Sequence, residues 1–282
     1  MQQPTKPFCN NLHFYFATFC KKGLQKTLET IKKDIKELTD FIKIQQLRKQ
    51  KGLKGVPVSL HLVFTGNPGT GKTTIARILA RIYKDIGVLS KGQVVEVDRA
   101  GLVAEYIGQT AIKTTKKINE AKGGILFIDE AYTLSNRGDN DFGQEAIDTL
   151  LKAMEDNRED FIVIVAGYPD LMNMFINSNP GLQSRFNKYI MFPDYNAKEM
   201  FEIFKGMCEK YEYVLETDAE QELSAIIDGI IENKDEKFAN ARTIRNLFET
   251  VITKQASRLA EGDCSEDDMK LLTVEDFGFL KA

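Results

Sequence analysis

"GNPGTGKT", residues 66–73, is the stretch on which the reading of this chain turns. It fits G-x-x-x-x-G-K-[ST], a pattern that gains meaning only when it follows a strand and opens a helix. Both flanks comply: "LHLVFT" (60–65) is an apolar run, and "TIARILARIY" (74–83) repeats its apolar residues at helical spacing. The chemistry follows from the backbone. Gly66, Gly69 and Gly71 permit a tight turn whose N–H groups aim inward at phosphate oxygens. The helix that begins near Gly71 adds the positive end of its dipole. Lys72 brings a point charge to the β- and γ-phosphates, and Thr73 offers a hydroxyl to Mg2+. Asn67, Pro68, Gly69 and Thr70 shape the loop between the anchor glycines, and Thr74 completes the expected nucleotide-binding set.

Further along, short apolar runs alternate with helical patterns. The runs are "QVVEVD" (93–98), "ILFID" (125–129), "FIVIVAG" (161–167) and "KYIMF" (188–192). Near-continuous apolar runs of this length suit parallel strands covered on both faces. Strand–helix alternation predicts an α/β fold with right-handed crossovers. Past Phe192 the strand-like runs stop, and helical stretches are expected from Asn196, at 217–232, 240–260 and 273–280. Before the sheet, Leu24, Leu28, Ile31, Ile35, Leu38 and Ile42 recur at three- and four-residue steps, an amphipathic helix. "KGLKGVP" (51–57) then breaks it. The expected division is an unassigned segment 1–23, a helix and linker 24–56, a nucleotide-binding part 57–194 and a smaller helical part 195–282.

"GGILFIDEAY" (123–132) is an apolar strand that ends in two carboxylates, at the edge where α/β sheets bind ligands. Asp129 is expected to hold Mg2+ through its water shell. Glu130 is expected to orient and polarise the attacking water as a general base. With the phosphate loop upstream, the pair points to nucleoside triphosphate hydrolysis, which is mainly positioning and charge neutralisation.

Composition narrows the remaining choices. The 282 residues carry a formal net charge of -3, which argues against a nucleic-acid partner. The charge is uneven: residues 21–54 hold eleven Lys/Arg against four Asp/Glu, a run that reads as the solvated face of a helix. Cys9, Cys20, Cys208 and Cys264 sit at no metal-ligand or redox-motif spacing and read as reduced thiols in a cytoplasmic protein. His61 lies in an apolar run and is expected to pack rather than to ligate. No segment is long and apolar enough to span a bilayer, so no membrane partner is expected. "LHFYFATF" (12–19) resembles a signal-peptide core but has a single lysine before it and no small-residue cleavage site after it.

Taken together, "GNPGTGKTTIARILA", "AEYIGQTAIKT", "GGILFIDEAYTL", "DFGQEAIDTLLKAMEDNR", "VIVAGYPD", "NPGLQSRF" and "NARTIRNLFE" resemble the CbxX/CfqX family of AAA+ ATPases, from about Ile31 to Arg258. That family includes red-type Rubisco activases and the stage V sporulation protein K group. The resemblance implies a five-stranded parallel sheet between helices and a small helical lid. It also implies a homo-oligomer, a hexameric ring with ATP between subunits, acting on a protein client. Arg185 in "NPGLQSRF" matches the arginine finger that reaches a neighbour's γ-phosphate, a role suited to a guanidinium. Arg242 in "NARTIRN" matches a second sensor of ATP, with Arg245 the alternative. General AAA+ proteins put a polar sensor after the fourth core strand; Gly167 and Tyr168 stand there, so no first sensor is named. Lys26, Thr27 and Leu28 stand where the family's "IGL" segment lies near the adenine.

"AEYIGQT" (104–110) carries Tyr106 and Ile107 side by side, a pair that taken alone reads as core. The resemblance instead implies a pore-facing loop. There an aromatic–aliphatic pair holds an extended client chain, with Gly108 as a flexible neighbour. Two functions remain in view: a motor that remodels a protein client, and an ATP-set assembly switch of the type VII secretion kind.

Overall fold

The computed structural model describes residues 25–54, 56, 59–106, 108–135, 142–235, 238–260, 262 and 264–280. The unassigned segment 1–23 and Ile107 therefore lie outside the described residues, as do the side chains of Lys26, Thr27 and Leu28. The described chain forms two compact units. The first holds residues 29–67 and 71–192; the second holds residues 25–28, Pro68–Thr70 and the residues from Pro193 onward.

The first unit begins within helix α1 (Gln25–Gln50). Ile31, Ile35, Leu38 and Ile42 line its buried stripe. Its outer face carries the i,i+4 pairs Lys33–Glu37 and Lys36–Asp40, each contributing about 0.3 kcal/mol. From Lys32 to Lys49 the described part of the basic run thus lies on the outer faces of this helix.

A five-stranded parallel sheet follows: β1 (Leu62–Gly66), β2 (Val94–Val97), β3 (Ile125–Ile128), β4 (Ile162–Gly167) and β5 (Tyr189–Phe192), in the order β2-β3-β4-β1-β5. Alternate residues serve the two faces. Val63, Leu126, Ile128, Val163 and Val165 join one core with residues of helices α4 (Thr110–Ala121), α5 (Gly143–Asp156) and α6 (Pro169–Asn177). On the other face Phe64 packs against Phe127 and Phe192, with ring centroids at 6.4 and 4.9 Å. Helix α2 (Lys72–Asp85) buries Ile75, Ile78, Leu79 and Ile82 and lies against β2 and β3. Burying both faces is what makes the strands read as near-continuous apolar runs. Helices α3 (Arg99–Leu102) and α7 (Pro180–Arg185) are short connectors. His61, just before β1, is buried; its Nδ1 accepts the Val163 N–H at 3.0 Å, and burial lowers its pKa to about 4. It packs as a neutral acceptor.

The second unit is helical: α8 (Ala197–Lys210), α9 (Thr217–Glu232), α10 (Ala241–Leu259), α11 (Glu266–Lys270) and a closing 3-10 segment Val274–Leu280. One element was not expected, a parallel pair of two-residue strands, β6 (Val214–Leu215) and β7 (Leu271–Leu272). The start of α8 is fixed by a capping box between Asn196 and Glu199. Phe204 sits between Phe248 and Phe277 at 5.3 and 6.1 Å. Buried Asp276 takes a bidentate pair from Arg258, at 2.8 and 3.0 Å, which ties the closing segment to α10.

Candidate functional site

The sequence 66–73 leaves β1 and opens α2, so its residues lie at the carboxyl end of the central sheet. Gly66, Gly69 and Gly71 have φ of 152°, 73° and 93°. At Gly66 a Cβ would strike the Phe192 carbonyl, and at Gly69 it would strike the Ala239 carbonyl. Glycine is therefore required there by close approach as well as by backbone angle. Gly71 precedes the first turn of α2 without a side-chain cap, which leaves that turn's N–H groups for an anion. Lys72 Nζ donates to the carbonyls of Gly66 and Asn67, at 2.8 and 2.9 Å, so its ammonium is folded over the loop. Thr73 and Thr74 follow half-buried on α2.

Two strands away, β3 ends in Asp129 and Glu130 at the same edge of the sheet, about 10 Å across from β1 by strand spacing. Asp129 Oδ1 accepts the Glu130 N–H at 3.1 Å. Glu130 has φ 48°, a left-handed conformation that a non-glycine residue adopts only when its surroundings impose it. The imposition is visible: the Thr133 N–H and hydroxyl both donate to the Glu130 carbonyl, at 2.9 and 2.7 Å. A carboxylate is thus turned outward at the end of a buried strand.

Tyr132 is a member of this edge that sequence reasoning missed. Burial, then the nearby Glu130, Tyr168 and Asp129, raise its phenol above the ordinary value, so it keeps its proton at neutral pH. Its ring lies 6.3 Å from that of Tyr168. A Cβ on Gly167 would come within 2.8 Å of the Tyr132 ring, which explains glycine where a polar sensor was sought. An aromatic after an acidic pair, matched to a glycine at the end of β4, was the available signal.

Comparison with known proteins now decides the family. A model of the ATPase family associated with various cellular activities (AAA) matches residues 62–194, and a AAA lid domain model matches 196–282. Stage V sporulation protein K of Bacillus subtilis is 48% identical over 84% of this chain and 74% of its own length. Protein CbbX of Cereibacter sphaeroides is 44% identical over 88% of this chain and 80% of its own. The chain belongs to the CbxX/CfqX family of AAA+ ATPases. The chloroplastic ribulose bisphosphate carboxylase/oxygenase activase of Cyanidioschyzon merolae is 41% identical over 89% of this chain and 84% of its own. A RuvB mutant of Thermotoga maritima, 19% identical, shares the fold at a TM-score of 0.55 over 89% of this chain and 69% of its own. As a AAA+ ATPase the chain binds and hydrolyses ATP.

Three further residues of this AAA+ ATPase have informative surroundings. Arg185, at the end of α7, is engaged by its own neighbours: Nη2 pairs with Glu155 at 3.0 Å and Nη1 donates to the Gly181 carbonyl at 3.3 Å. Its Nε is buried and has no hydrogen-bond partner among the described residues. Glu155 is held below the usual carboxylate range, chiefly by its bond to Arg158 and then by the charges of Arg158 and Arg185. Arg242 and Arg245 are both exposed on the first turns of α10. Asp129 and Thr73 are oxygen donors of the kind a hard cation takes, and one carboxylate with a hydroxyl suits Mg2+ completed by phosphates and water. No helix among the described residues is long and apolar enough to cross a membrane.

The loop between α3 and α4 is pinned on both sides. Ala104 N–H donates to Thr110 Oγ1 at 3.0 Å, Lys113 Nζ donates to the Ala100 and Val103 carbonyls, and Thr114 Oγ1 donates to Leu102 O. Between those anchors Tyr106 is 67% exposed, and a Cβ on Gly108, at φ 77°, would meet no atom of the described residues beyond its chain neighbours within 4 Å. Ile112, on the adjoining turn of α4, is 70% exposed, a second apolar side chain on display that the sequence reading passed over.

Proposed function

We propose that this AAA+ ATPase uses ATP hydrolysis to remodel a protein client, as a homo-oligomeric ring, a hexamer by family resemblance. In this reading Gly66 to Thr74 take the phosphates, with Lys72 on the β- and γ-phosphates, and Arg242 senses ATP from the lid. Thr73 and Asp129 hold Mg2+, and Glu130 orients and polarises the attacking water. Arg185 serves a neighbouring subunit's ATP, and to do so its guanidinium must exchange Glu155 for phosphate. A finger held by a carboxylate until a phosphate competes for it links assembly to turnover.

The observation that carries the remodelling function is Tyr106, a large aromatic side chain exposed on a loop anchored at both ends. A solvated aromatic on a loop hydrogen-bonded at both flanks is suited to gripping extended chain without reading its sequence. Relatives named as ribulose bisphosphate carboxylase/oxygenase activases make Rubisco the first client to assay. The test is to trap Glu130→Gln with ATP and Mg2+, add Rubisco and, separately, cell extract, and identify protein retained only when ATP is present. ATP-dependent retention supports the reading. Absence of any retained protein, with slow turnover insensitive to added protein, would instead leave ATP as an assembly switch. The proposed boundaries, 57–194 for hydrolysis and 195–282 for the lid, follow the same reading, with the cytoplasm as its setting.

A further inference from the structure

The tip of the phosphate loop is held by residues that the motif does not contain. Pro68, Gly69 and Thr70 belong to the second unit, and their three successive carbonyls each accept a hydrogen bond within it. Asn240 Nδ2 donates to Pro68 O at 3.2 Å. The Ala241 N–H donates to Gly69 O at 3.2 Å. The Tyr195 hydroxyl donates to Thr70 O at 3.0 Å.

Asn240 is the centre of this arrangement. It is fully buried, and its backbone stands at φ 50°, ψ −121°, which is unfavourable for any residue with a side chain. Its side chain explains why the conformation persists. Oδ1 accepts the Tyr195 N–H at 2.9 Å, while Nδ2 donates to Asp194 Oδ1 at 2.8 Å as well as to Pro68. Asp194 is in turn paired with Lys234 at 3.3 Å. Tyr195 is buried, so its bond to the loop is shielded from water.

Because a peptide unit is planar and trans, the direction of a carbonyl fixes the opposite direction of the next residue's N–H. Holding the Pro68, Gly69 and Thr70 carbonyls therefore sets the N–H groups of Gly69, Thr70 and Gly71. Those are the donors that a phosphate loop must present to its anion. We infer that Asn240 and Tyr195 are positioning residues that aim the Gly69, Thr70 and Gly71 N–H groups at the nucleotide's phosphates. The inference rests on the reading of 66–73 as the phosphate site and adds a determinant of ATP affinity that lies outside that motif.

Tyr195→Phe is the principal test, since it removes one hydroxyl and keeps the buried ring; Asn240→Ala is the second variant. ATP affinity by titration, nucleotide-free melting temperature, and the backbone amide resonances of residues 69–71 are to be measured on the full chain. Tyr195→Phe is expected to weaken ATP binding about tenfold, the scale of one hydrogen bond, and to move those amide resonances, with melting lowered by only about 2–4 °C and the protein still fully folded at the temperature of the titration. Asn240→Ala is expected to weaken it further. ATP affinity equal to the parent's in Tyr195→Phe, or a fall fully matched by loss of folded protein, overturns the inference. Lys72→Ala separates the two levels. If it also binds ATP normally, the phosphate-site reading itself has failed. If it loses ATP while Tyr195→Phe and Asn240→Ala do not, only the positioning role has failed.

Discussion

The loop at 66–71 and the loop at 104–109 both turn on glycine, for opposite reasons. In the first, Gly66 and Gly69 are forced: any side chain would strike the carbonyl of Phe192 or Ala239. In the second, Gly108 has the same left-handed backbone and open space around it. One loop is determined atom by atom, with its carbonyls tied down and Lys72 folded over it. The other is anchored at its flanks, closes on itself through a Gln109 N–H bond to the Tyr106 carbonyl, and shows Tyr106 to solvent. The difference suits their tasks, because a small rigid anion requires donors fixed to a fraction of an ångström, whereas an extended chain of variable sequence requires surface.

The severest way to break the tightly built side is Lys72→Ala. Loss of that charge is expected to lower ATP affinity about 100-fold or more by isothermal titration, while chymotrypsin still cleaves at exposed Tyr106 as in the parent. Next, Glu130→Gln is expected to slow steady-state phosphate release by about 100-fold or more with ATP affinity within about threefold. Turnover at the parental rate would remove Glu130 from its role. A paired substitution then sharpens the contrast between the glycines. Gly69→Ala is expected to lower stability by about 2–3 kcal/mol or more, from collision added to backbone strain, and Gly108→Ala by about 1 kcal/mol from strain alone. Equal melting shifts would show that the two loops are not differently constrained.

The same contrast decides what the sequence could reveal. The phosphate loop, the carboxylates after β3 and the alternation of strand and helix are local patterns, written within a dozen residues and imposed by backbone chemistry, so they were legible. The partners of Arg185 and Asn240 were not. Glu155 lies 30 residues from Arg185, and Pro68 lies 172 residues from Asn240, so only the folded chain joins them. Tyr132 lay inside a motif already singled out, yet its contact with Gly167 requires β3 and β4 to be neighbours. Exposure is the hardest property of all to read. Tyr106 and Ile112 have the composition of core residues, and it is the anchoring of the chain around them that leaves them outside.

The smallest expected effect on hydrolysis belongs to Tyr106→Ala, and it bears most directly on the central claim that this ATPase grips protein through its displayed loop. The measurement is client retained by the ATP-trapped Glu130→Gln complex, with and without Tyr106→Ala, alongside the basal turnover of the single Tyr106→Ala variant. The account predicts basal turnover within about twofold of the parent, as for a surface change that leaves stability within about 0.5 kcal/mol, and retention of client lost. Client retained at the level of the Glu130→Gln complex would contradict it.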